Sequence, residues 1–328
     1  MTYRLQDTTN PVHAGLAMMS CLSLSGGGVR GLFTARILTA FEEAANAPAA
    51  ERFDLIGGTS IGGIIAIGLA AGIPAAAIHA AIADNAPSIF KKRFHRFGLF
   101  TALYPKPPLR KAIRAILGDH ADRRLSELPV PVLVTAVDHT NGSSHLFRSL
   151  GLAEKDADDV TLMDAALATS AAPTLFPPHR IGDRVYVDGG LAANAPDLIA
   201  VSEAMARLGA IPEKVHVLSI GTAGKAVEGK PVWFGGRIPW IMRHRIVELT
   251  LAAQEHASTL QASRILGTRY LRVDKAPQRP IRLDEVERLA DLDKLAAEAL
   301  ETVTKDKRWH ETANRRARRL VEAEAASA

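Results

Sequence analysis

The segment Gly58-Thr59-Ser60-Ile61-Gly62 places a serine between two glycines, where an apolar run gives way to a helical pattern. This G-x-S-x-G spacing is typical of a nucleophile elbow, in which a sharp strand-to-helix turn exposes a serine hydroxyl. Gly58 and Gly62 supply the small neighbours that such a turn requires. Because Gly–Ser turns are common in ordinary loops, the motif depends on its surroundings for support. It predicts Ser60 as the nucleophile of an acyl-transfer reaction.

A second glycine-rich turn, Gly26–Gly31, follows the apolar run at residues 21–25. Unpaired N–H groups at such a turn, together with the positive end of the following helix, attract negative charge. We expect the N–H groups of Gly27 and Gly28 to form an oxyanion hole for a tetrahedral intermediate. Arg30 is expected either to orient this loop or to bind a substrate phosphate.

The same turn also fits the G-x-G-x-x-G pattern of dinucleotide-binding proteins. That pattern expects an acidic residue about 20 positions later, at the end of the second strand. The second predicted strand, 53–57, ends instead in the serine motif, and Glu51 and Asp54 lie before or within it. The acidic residue that a dinucleotide site requires is therefore missing from its expected position, which argues against the dinucleotide interpretation.

A serine nucleophile needs a base, and Asp188 has the clearest context. It ends an apolar run and precedes two glycines, and ligand sites of open α/β sheets lie at the carboxyl ends of strands. A carboxyl group with a reference pKa of about 3.9 must be desolvated or tightly hydrogen-bonded to act as a base. The candidate histidines after the serine are His179, His216 and His256. We expect each to be a core or surface residue, and a histidine-containing triad is the alternative.

Short apolar runs alternate with helical patterns along the chain, which predicts an α/β fold with a largely parallel sheet covered on both faces. The predicted strands are 21–25, 53–57, 130–138, 184–187, 215–220 and 269–273. The predicted helices lie near 32–45, 61–71, 109–117, 162–168, 197–208 and 244–260. Apolar residues also recur every three or four positions between 284 and 303, which predicts a helix packed on the domain.

One catalytic domain is expected, because no flexible linker separates the predicted elements. We assign residues 1–20 to an N-terminal extension, 21–280 to the catalytic domain, and 281–328 to a C-terminal helix and basic tail packed on that domain. The tail contains Arg315, Arg316, Arg318 and Arg319. We expect these arginines to form a solvated helix face.

The composition excludes a disordered, collagen-like or disulfide-stapled chain, since 47% of the 328 residues are hydrophobic and 23% are charged. A single cysteine, Cys21, excludes an intrachain disulfide and a cysteine-based zinc site, and no cluster has metal-ligand spacing. The longest apolar stretch, 61–73, is too short to span a bilayer, and no secretory signal precedes it. We therefore predict a cytoplasmic protein that needs no metal.

The charge and the aromatic content of the chain favour an anionic partner, but they do not show which kind. The net charge of +5 suits nucleic acid, an anionic membrane or a phosphorylated substrate. Two stretches, 90–97 and 233–243, combine basic and aromatic residues, as membrane-interface segments do. Their aromatic residues include Phe94, Phe97, Trp233 and Trp240. We expect one or both stretches to form a mobile lid or a membrane-docking edge, and a packed surface loop is the alternative.

The three motifs, in this order, resemble the patatin-like phospholipases. In that family G-G-G-x-[RK]-G forms the oxyanion loop, G-x-S-x-G carries the nucleophile, and D-G-[GA] completes a Ser–Asp dyad without histidine. The corresponding segments here are 26–31, 58–62 and 188–190. Further similarity covers 168–173, 176–177 and 218–222, together with Asn194 and Pro196. Ser25 departs from the pattern, since many members have Asp before the glycines, and this affects the subgroup more than the activity.

The resemblance implies a three-layer α/β/α fold and hydrolysis of acyl esters in membrane phospholipids or related lipids. Ser60 would form an acyl-enzyme, and Asp188 would activate the serine and then the deacylating water, without a cofactor. Certain bacterial antiviral members are activated by cyclic nucleotides, and the size and basic charge of this chain are compatible with such an activator. Peripheral membrane association and a homodimer are also compatible with it, and no nucleic-acid polymer is expected as a partner.

Two other functions stay open on the sequence. A serine esterase or thioesterase with a histidine-containing triad would use the same elbow, and a catalytically silent lipid-binding module would have the same fold. All the motif glycines, the serine and the aspartate are present, which favours the lipid acyl hydrolase.

Overall fold

A computed structural model of the chain describes residues 18–91, 101–149, 160–224 and 246–321. The predicted lid residues Phe94, Phe97, Trp233 and Trp240 lie outside these ranges. Within them, no helix has both the length and the apolar character needed to cross a membrane.

An eight-stranded mixed sheet forms the centre of the molecule. Its strands are β1 (Met19–Leu24), β2 (Leu55–Thr59), β3 (Val132–Asp138), β4 (Ser143–Arg148), β5 (His179–Ile181), β6 (Arg184–Asp188), β7 (Val215–Ile220) and β8 (Tyr270–Val273). They lie in the order β5-β6-β3-β2-β1-β7-β8, and β4 pairs with β3. The run from β3 through β2, β1 and β7 to β8 is parallel, whereas β4, β5 and β6 pair antiparallel. The sheet is therefore mostly parallel, as predicted.

The two central strands are buried at every position, as expected for strands covered on both faces. Their register pairs Leu24, the last residue of β1, with Gly58 of β2 and with Ile220 of β7. This pairing places the carboxyl ends of β1 and β2 side by side. The two glycine-rich turns that follow these strands are neighbours for the same reason.

The described helices are α1 (Gly31–Ala45), α2 (Ile61–Ala70), α3 (Ala75–Ile89), α4 (Lys106–Leu117), α5 (Leu162–Thr169), α6 (Gly190–Ala193), α7 (Asp197–Leu208), α8 (Ile246–Leu266), α9 (Leu289–Val303) and α10 (Lys307–Asn314). Alternate residues of β1 point into two separate cores. Leu22 and Leu24 belong to a large core with α1 to α5, α9 and α10. Met19 and Cys21 belong to a smaller core with α7 and α8. The fold thus has three α/β/α layers.

The C-terminal helix predicted from apolar spacing is α9, which begins at Leu289, after a 3-10 turn at Val286–Arg288. Leu292, Ala296 and Val303 are buried in the large core. Trp309 of α10 is fully buried in the same core. The C-terminal helices therefore contribute to the hydrophobic core of the fold.

The basic tail does not form the solvated helix face that we expected. Residues 315–317 are not helical, and Arg315 donates to the hydroxyl of Ser20 over 3.2 Å. Arg319 donates to the carbonyl oxygens of Phe53, over 2.8 Å, and of Ala50. These guanidinium groups satisfy backbone and hydroxyl acceptors near the amino ends of β1 and β2, which explains why they are partly buried.

Several elements were not predicted. β4 has only one buried residue and β5 has only three residues, so neither produces the apolar run that indicates a central strand. Helix α3 is rich in alanine and contains Pro87, which weakens its helical pattern. These elements lie at the edges of the sheet or on the helical layer, so their omission leaves the predicted centre of the fold unchanged.

Candidate active site

Ser60 lies at the turn between β2 and α2 with backbone angles of φ 55° and ψ −124°. A non-glycine residue rarely adopts a positive φ, and such strain is typical of nucleophile elbows. A side chain at Gly58 would overlap the carbonyl oxygen of Gly62, and one at Gly62 would overlap that of Leu24. The turn is held further by Thr169, whose hydroxyl accepts the Ser60 N–H over 2.8 Å. The two glycines are required by this close packing.

The hydroxyl of Ser60 donates to Oδ2 of Asp188 over 2.7 Å. The other carboxylate oxygen, Oδ1, accepts the N–H of Gly190 over 2.7 Å. Asp188 is only 6% exposed. Burial raises the pKa of Asp188 to about 6, against the lowering effect of these two hydrogen bonds. The carboxylate is therefore ionised at neutral pH and more basic than an ordinary aspartate.

Asp188 reaches the serine by a route other than the one we expected. It ends β6, which runs antiparallel to β3 and pairs Asp188 with Ala136. Its strand therefore approaches from the carboxyl edge of the parallel sheet and stops inside it. Thr135 pairs with Thr59, the residue before the serine, and the two threonine hydroxyls lie 2.7 Å apart. The pairing of β3 with both strands brings Asp188 beside Ser60.

The predicted oxyanion donors face the same cavity as the serine. Gly26 donates its N–H to the Asn194 carbonyl over 2.9 Å, and Val29 donates to the Leu283 carbonyl over 2.8 Å. Between them, the N–H groups of Gly27 and Gly28 have no acceptor among the described residues. Both glycines line the cavity around Ser60. Two unpaired N–H groups next to a nucleophile are the arrangement that stabilises a developing oxyanion.

Asn194 holds the glycine loop in place through hydrogen bonds. Its side-chain amide donates to the Gly26 carbonyl over 3.3 Å and to Oε2 of Glu255 over 2.8 Å. The hydroxyl of Thr222 also donates to the Gly26 carbonyl, over 3.3 Å. With its N–H and its carbonyl both bonded, Gly26 has little freedom to move.

Arg272 makes further contacts that hold the same loop. Its guanidinium donates to the hydroxyl of Ser25 over 2.9 Å and to that of Ser219 over 2.8 Å. It also forms ion pairs with Glu255 and, over 2.8 Å, with Asp274. A network of charged residues therefore holds the glycine loop in place. It contacts the loop at Ser25, the residue before the glycines.

Arg30 and Gly31 both contact neighbouring segments of the fold. Arg30 donates to the Ile281 carbonyl over 3.3 Å and lines a neighbouring cavity, separate from the cavity over Ser60. This contact fits the expectation that it orients the loop. A side chain at Gly31 would overlap Ile61, so glycine at this position lets α1 begin against the start of α2.

The cavity that contains Ser60 and Asp188 has a volume of about 150 Å³ and is mostly apolar. Its apolar lining includes Ile64, Ile82, Ile89, Phe90, Leu109, Ala112, Ile113 and Ile116. Phe90 begins the first aromatic–basic stretch, yet it is buried and packs edge-on against Tyr104, with ring centroids 5.3 Å apart. The cavity extends from the nucleophile between α2, α3 and α4 and can hold a hydrocarbon chain.

No histidine of the described ranges lines this cavity. His179 lies in β5 and contacts Asp164 over 2.9 Å. His216 lies in β7, and burial together with nearby cations lowers its pKa to about 4. His256 lies in α8 and lines the neighbouring cavity. These positions agree with the expected core or surface roles.

The structure thus brings the predicted Ser60, Asp188, Gly27 and Gly28 around one cavity. Sequence reasoning missed Glu255 and Arg272, and it treated Thr169 and Asn194 only as points of similarity. Glu255 and Arg272 lie within ordinary helix and strand patterns, so no local motif marks them. Thr169 is the last residue of the alanine-rich helix α5, and its contact with the serine depends on tertiary packing.

Comparisons with known proteins show which family the chain is similar to. The sequence profile described as "Patatin-like phospholipase" matches residues 22–201. Three bacterial proteins named "cGAMP-activated phospholipase" are similar to this chain. The protein from Escherichia coli (strain TW11681) is 37% identical over 259 residues, 72% of each chain. The protein from Pseudomonas aeruginosa (strain BWHPSA011 / Pa011) is 35% identical over 269 residues, 79% of each chain. The one from Vibrio cholerae is 35% identical over 263 residues, which cover 71% of this chain and 74% of that protein.

Proposed function

The chain belongs to the patatin-like phospholipase family and is a hydrolase of lipid esters, and we propose that Ser60 and Asp188 are its catalytic pair. The observation that supports this pair best is the 2.7 Å hydrogen bond from the Ser60 hydroxyl to the Asp188 carboxylate. It lies in a mostly apolar cavity beside two backbone N–H groups that have no acceptor in the described part of the chain. A phospholipid acyl ester is the substrate that these features suit.

In the acylation step, Oγ of Ser60 bonds to the carbonyl carbon while its proton passes to Oδ2 of Asp188. The carbonyl oxygen becomes negative and accepts hydrogen bonds from Gly27 and Gly28. One such donor contributes roughly 2.7–4 kcal/mol to the stability of the transition state. The ester C–O bond then breaks, and the departing alcohol takes the proton from Asp188. The products are a lysolipid and an acyl-enzyme.

In the deacylation step, water attacks the acyl carbon and gives its proton to Asp188. The second tetrahedral intermediate uses the same two N–H donors. When it collapses, the proton returns to Ser60 and the fatty acid leaves. The raised pKa of Asp188 suits both steps, because a base with a pKa close to the working pH transfers protons most efficiently.

The apolar cavity provides the site for the acyl chain. Its lining between α2, α3 and α4 removes hydrocarbon from water, which stabilises the complex by roughly 0.8 kcal/mol for each buried CH₂. The reacting carbonyl then lies at Ser60, where the cavity becomes polar. We propose that the lipid binds with its acyl chain inside this cavity and its headgroup outside it, at a membrane surface.

We further propose that a cyclic nucleotide activates hydrolysis. The support is the identity of 35–37% to proteins named "cGAMP-activated phospholipase". A role in antiviral defence, which the family resemblance implies, belongs to the same proposal. The test is the rate of phospholipid hydrolysis with and without cGAMP, which we expect to rise with the nucleotide in the wild type alone and not in Ser60→Ala.

The catalytic pair is tested by ester hydrolysis in single variants. Ser60→Ala and Asp188→Asn should each lower kcat by about a thousandfold or more, because a nucleophile and its base act as a unit. Ser202→Ala and Asp183→Asn, both at exposed positions, are the matched controls and should retain the wild-type rate. His179→Ala, His216→Ala and His256→Ala separate the triad alternative. A comparable loss in any histidine variant that is still folded would favour a triad over the proposed pair.

A further inference from the structure

A second polar cavity, of about 310 Å³, lies at the other end of the sheet, where the central strands begin. Its polar and charged lining includes Ser20 of β1, His216 of β7, Arg269 before β8, and Lys307, Glu311 and Arg315 of the C-terminal region. Ser60 follows the carboxyl end of β2, so this cavity is distinct from the catalytic one. Neither the catalytic proposal nor the motifs assign it a role.

The charged lining is strongly asymmetric, with four cationic side chains and one carboxylate, Glu311. Arg308 is neutralised by Asp306. The other three cations, Arg269, Lys307 and Arg315, have no carboxylate within ion-pair distance in the described structure. Positive charge inside a concavity concentrates the field on an incoming anion.

The arginines are held in place by neutral groups. Arg269 donates to the carbonyl oxygens of Pro212 and, over 3.3 Å, of Val215. Arg315 donates to the Ser20 hydroxyl over 3.2 Å. A guanidinium has five N–H donors, so each side chain keeps donors to spare while its position is fixed. Such preorganised forks suit the oxygens of a phosphate group.

The pKa of His216 reflects its burial and the positive charge around this cavity. Burial, and after it the nearby cations Arg315, Arg269 and Lys214, lower its pKa to about 4. Asp54, a buried carboxylate at this end of the sheet, accepts the Ser20 N–H over 2.9 Å. The imidazole is therefore neutral at pH 7. A neutral imidazole can exchange a hydrogen bond with a phosphate oxygen without requiring a proton.

We propose that this cavity binds a phosphate group of a small ligand through Arg269, Lys307 and Arg315. Phe53, Leu218 and Leu271 also line the cavity. A cyclic dinucleotide and a phospholipid headgroup both carry this chemistry. The proposal does not depend on the catalytic pair, because the two cavities share no residue.

The test measures binding of three probes to the full chain: inorganic phosphate, cGAMP, and vesicles of phosphatidylglycerol compared with phosphatidylcholine. Lys307→Gln is the first variant, since Lys307 is exposed and makes no hydrogen bond or ion pair among the described residues. Arg315→Gln is the second. Lys111→Gln and Arg264→Gln, at exposed positions outside the cavity, are the matched controls. Titration of His216 by NMR, with and without phosphate, gives an independent readout.

We expect at least one probe to bind the wild type, and each cavity variant to weaken its Kd by about tenfold or more, since each removes a charge-assisted hydrogen bond. The controls should stay within about twofold. Phosphate should raise the pKa of His216. Binding of cGAMP alone identifies a nucleotide, and a preference for phosphatidylglycerol vesicles identifies a headgroup. If no probe binds, or if cavity and control variants bind alike, the proposal is wrong.

Discussion

The side-chain amide of Asn194 donates a 2.8 Å hydrogen bond to the carboxylate of Glu255. Its second hydrogen bond, to the carbonyl of Gly26, links the glycine loop to α8, the helix that contains Glu255. Arg272 contacts the same carboxylate and the hydroxyl of Ser25. The glycine loop that carries the proposed oxyanion donors is thus held by Glu255 and Arg272, two charged residues that do not line the cavity around Ser60.

Asn194→Asp should separate positioning from chemistry. The new carboxylate would face the Gly26 carbonyl and the Glu255 carboxylate, and their repulsion would displace the loop. We expect kcat to fall about 10- to 100-fold with little change in KM, a part of the cost of losing an oxyanion donor. The control is Asn141→Asp, which creates a similar repulsion against Asp138 far from Ser60. Equal losses in both variants would mean that the effect is general destabilisation.

The pH dependence of kcat/KM should follow the ionisation of Asp188. Because the base must be ionised, the rate should rise with pH, level off above the pKa of about 6, and fall tenfold per pH unit well below it. The midpoint should not move with temperature, since ionisation of a carboxyl group has almost no enthalpy. A midpoint that falls on warming, as an imidazole pKa does, would contradict the assignment.

Asp188→Asn should stabilise the fold at neutral pH. Burial raises the folded-state pKa of Asp188 from its unfolded value of 3.8 to about 6, so the folded chain holds this proton more tightly. The resulting stabilisation is complete below pH 3.8 and is lost as the pH rises through 6. At pH 7.5 the variant should therefore gain about 1–3 kcal/mol in unfolding free energy, and at pH 3.5 almost nothing. Thermal unfolding at both pH values measures this. A variant that is less stable than the wild type at pH 7.5 would contradict the burial argument.

Ala112→Leu should shorten the acyl-chain cavity. Ala112 is buried in its wall, and the larger side chain fills space that a long chain needs. We expect the rate on a long-chain ester to fall about tenfold relative to a short-chain ester, with a stability cost of about 1–3 kcal/mol from overpacking. Ala115→Leu, at an exposed position on the same helix, is the control. An unchanged ratio of long-chain to short-chain rates would place the acyl chain elsewhere.

Residues whose roles are local could be predicted from the sequence. The turn at Ser60 and the approach of Gly58 to Gly62 involve five consecutive residues, so the elbow is visible as a motif. The central strands are visible for a similar reason, since strands buried on both faces need continuous apolar runs. The three-layer fold follows from these strands and the helices between them.

Contacts that join distant residues could not be predicted in the same way. Asp188 was chosen from its glycine neighbours, yet its position depends on an antiparallel pairing with Ala136 that no local pattern indicates. Arg272 and Glu255 read as ordinary strand and helix residues. The tail arginines read as solvated, but Arg315 and Arg319 find acceptors that only tertiary packing supplies.

The most direct test of the proposed mechanism is covalent labelling with a fluorophosphonate, followed by mass spectrometry of the labelled peptide. We predict one adduct, on Ser60, in the wild type and none in Ser60→Ala. Labelling should also be strongly slowed in Asp188→Asn, because the hydroxyl then loses its base. An adduct on a different residue, or labelling of Ser60→Ala at the wild-type rate, would contradict the assignment of Ser60 as the nucleophile.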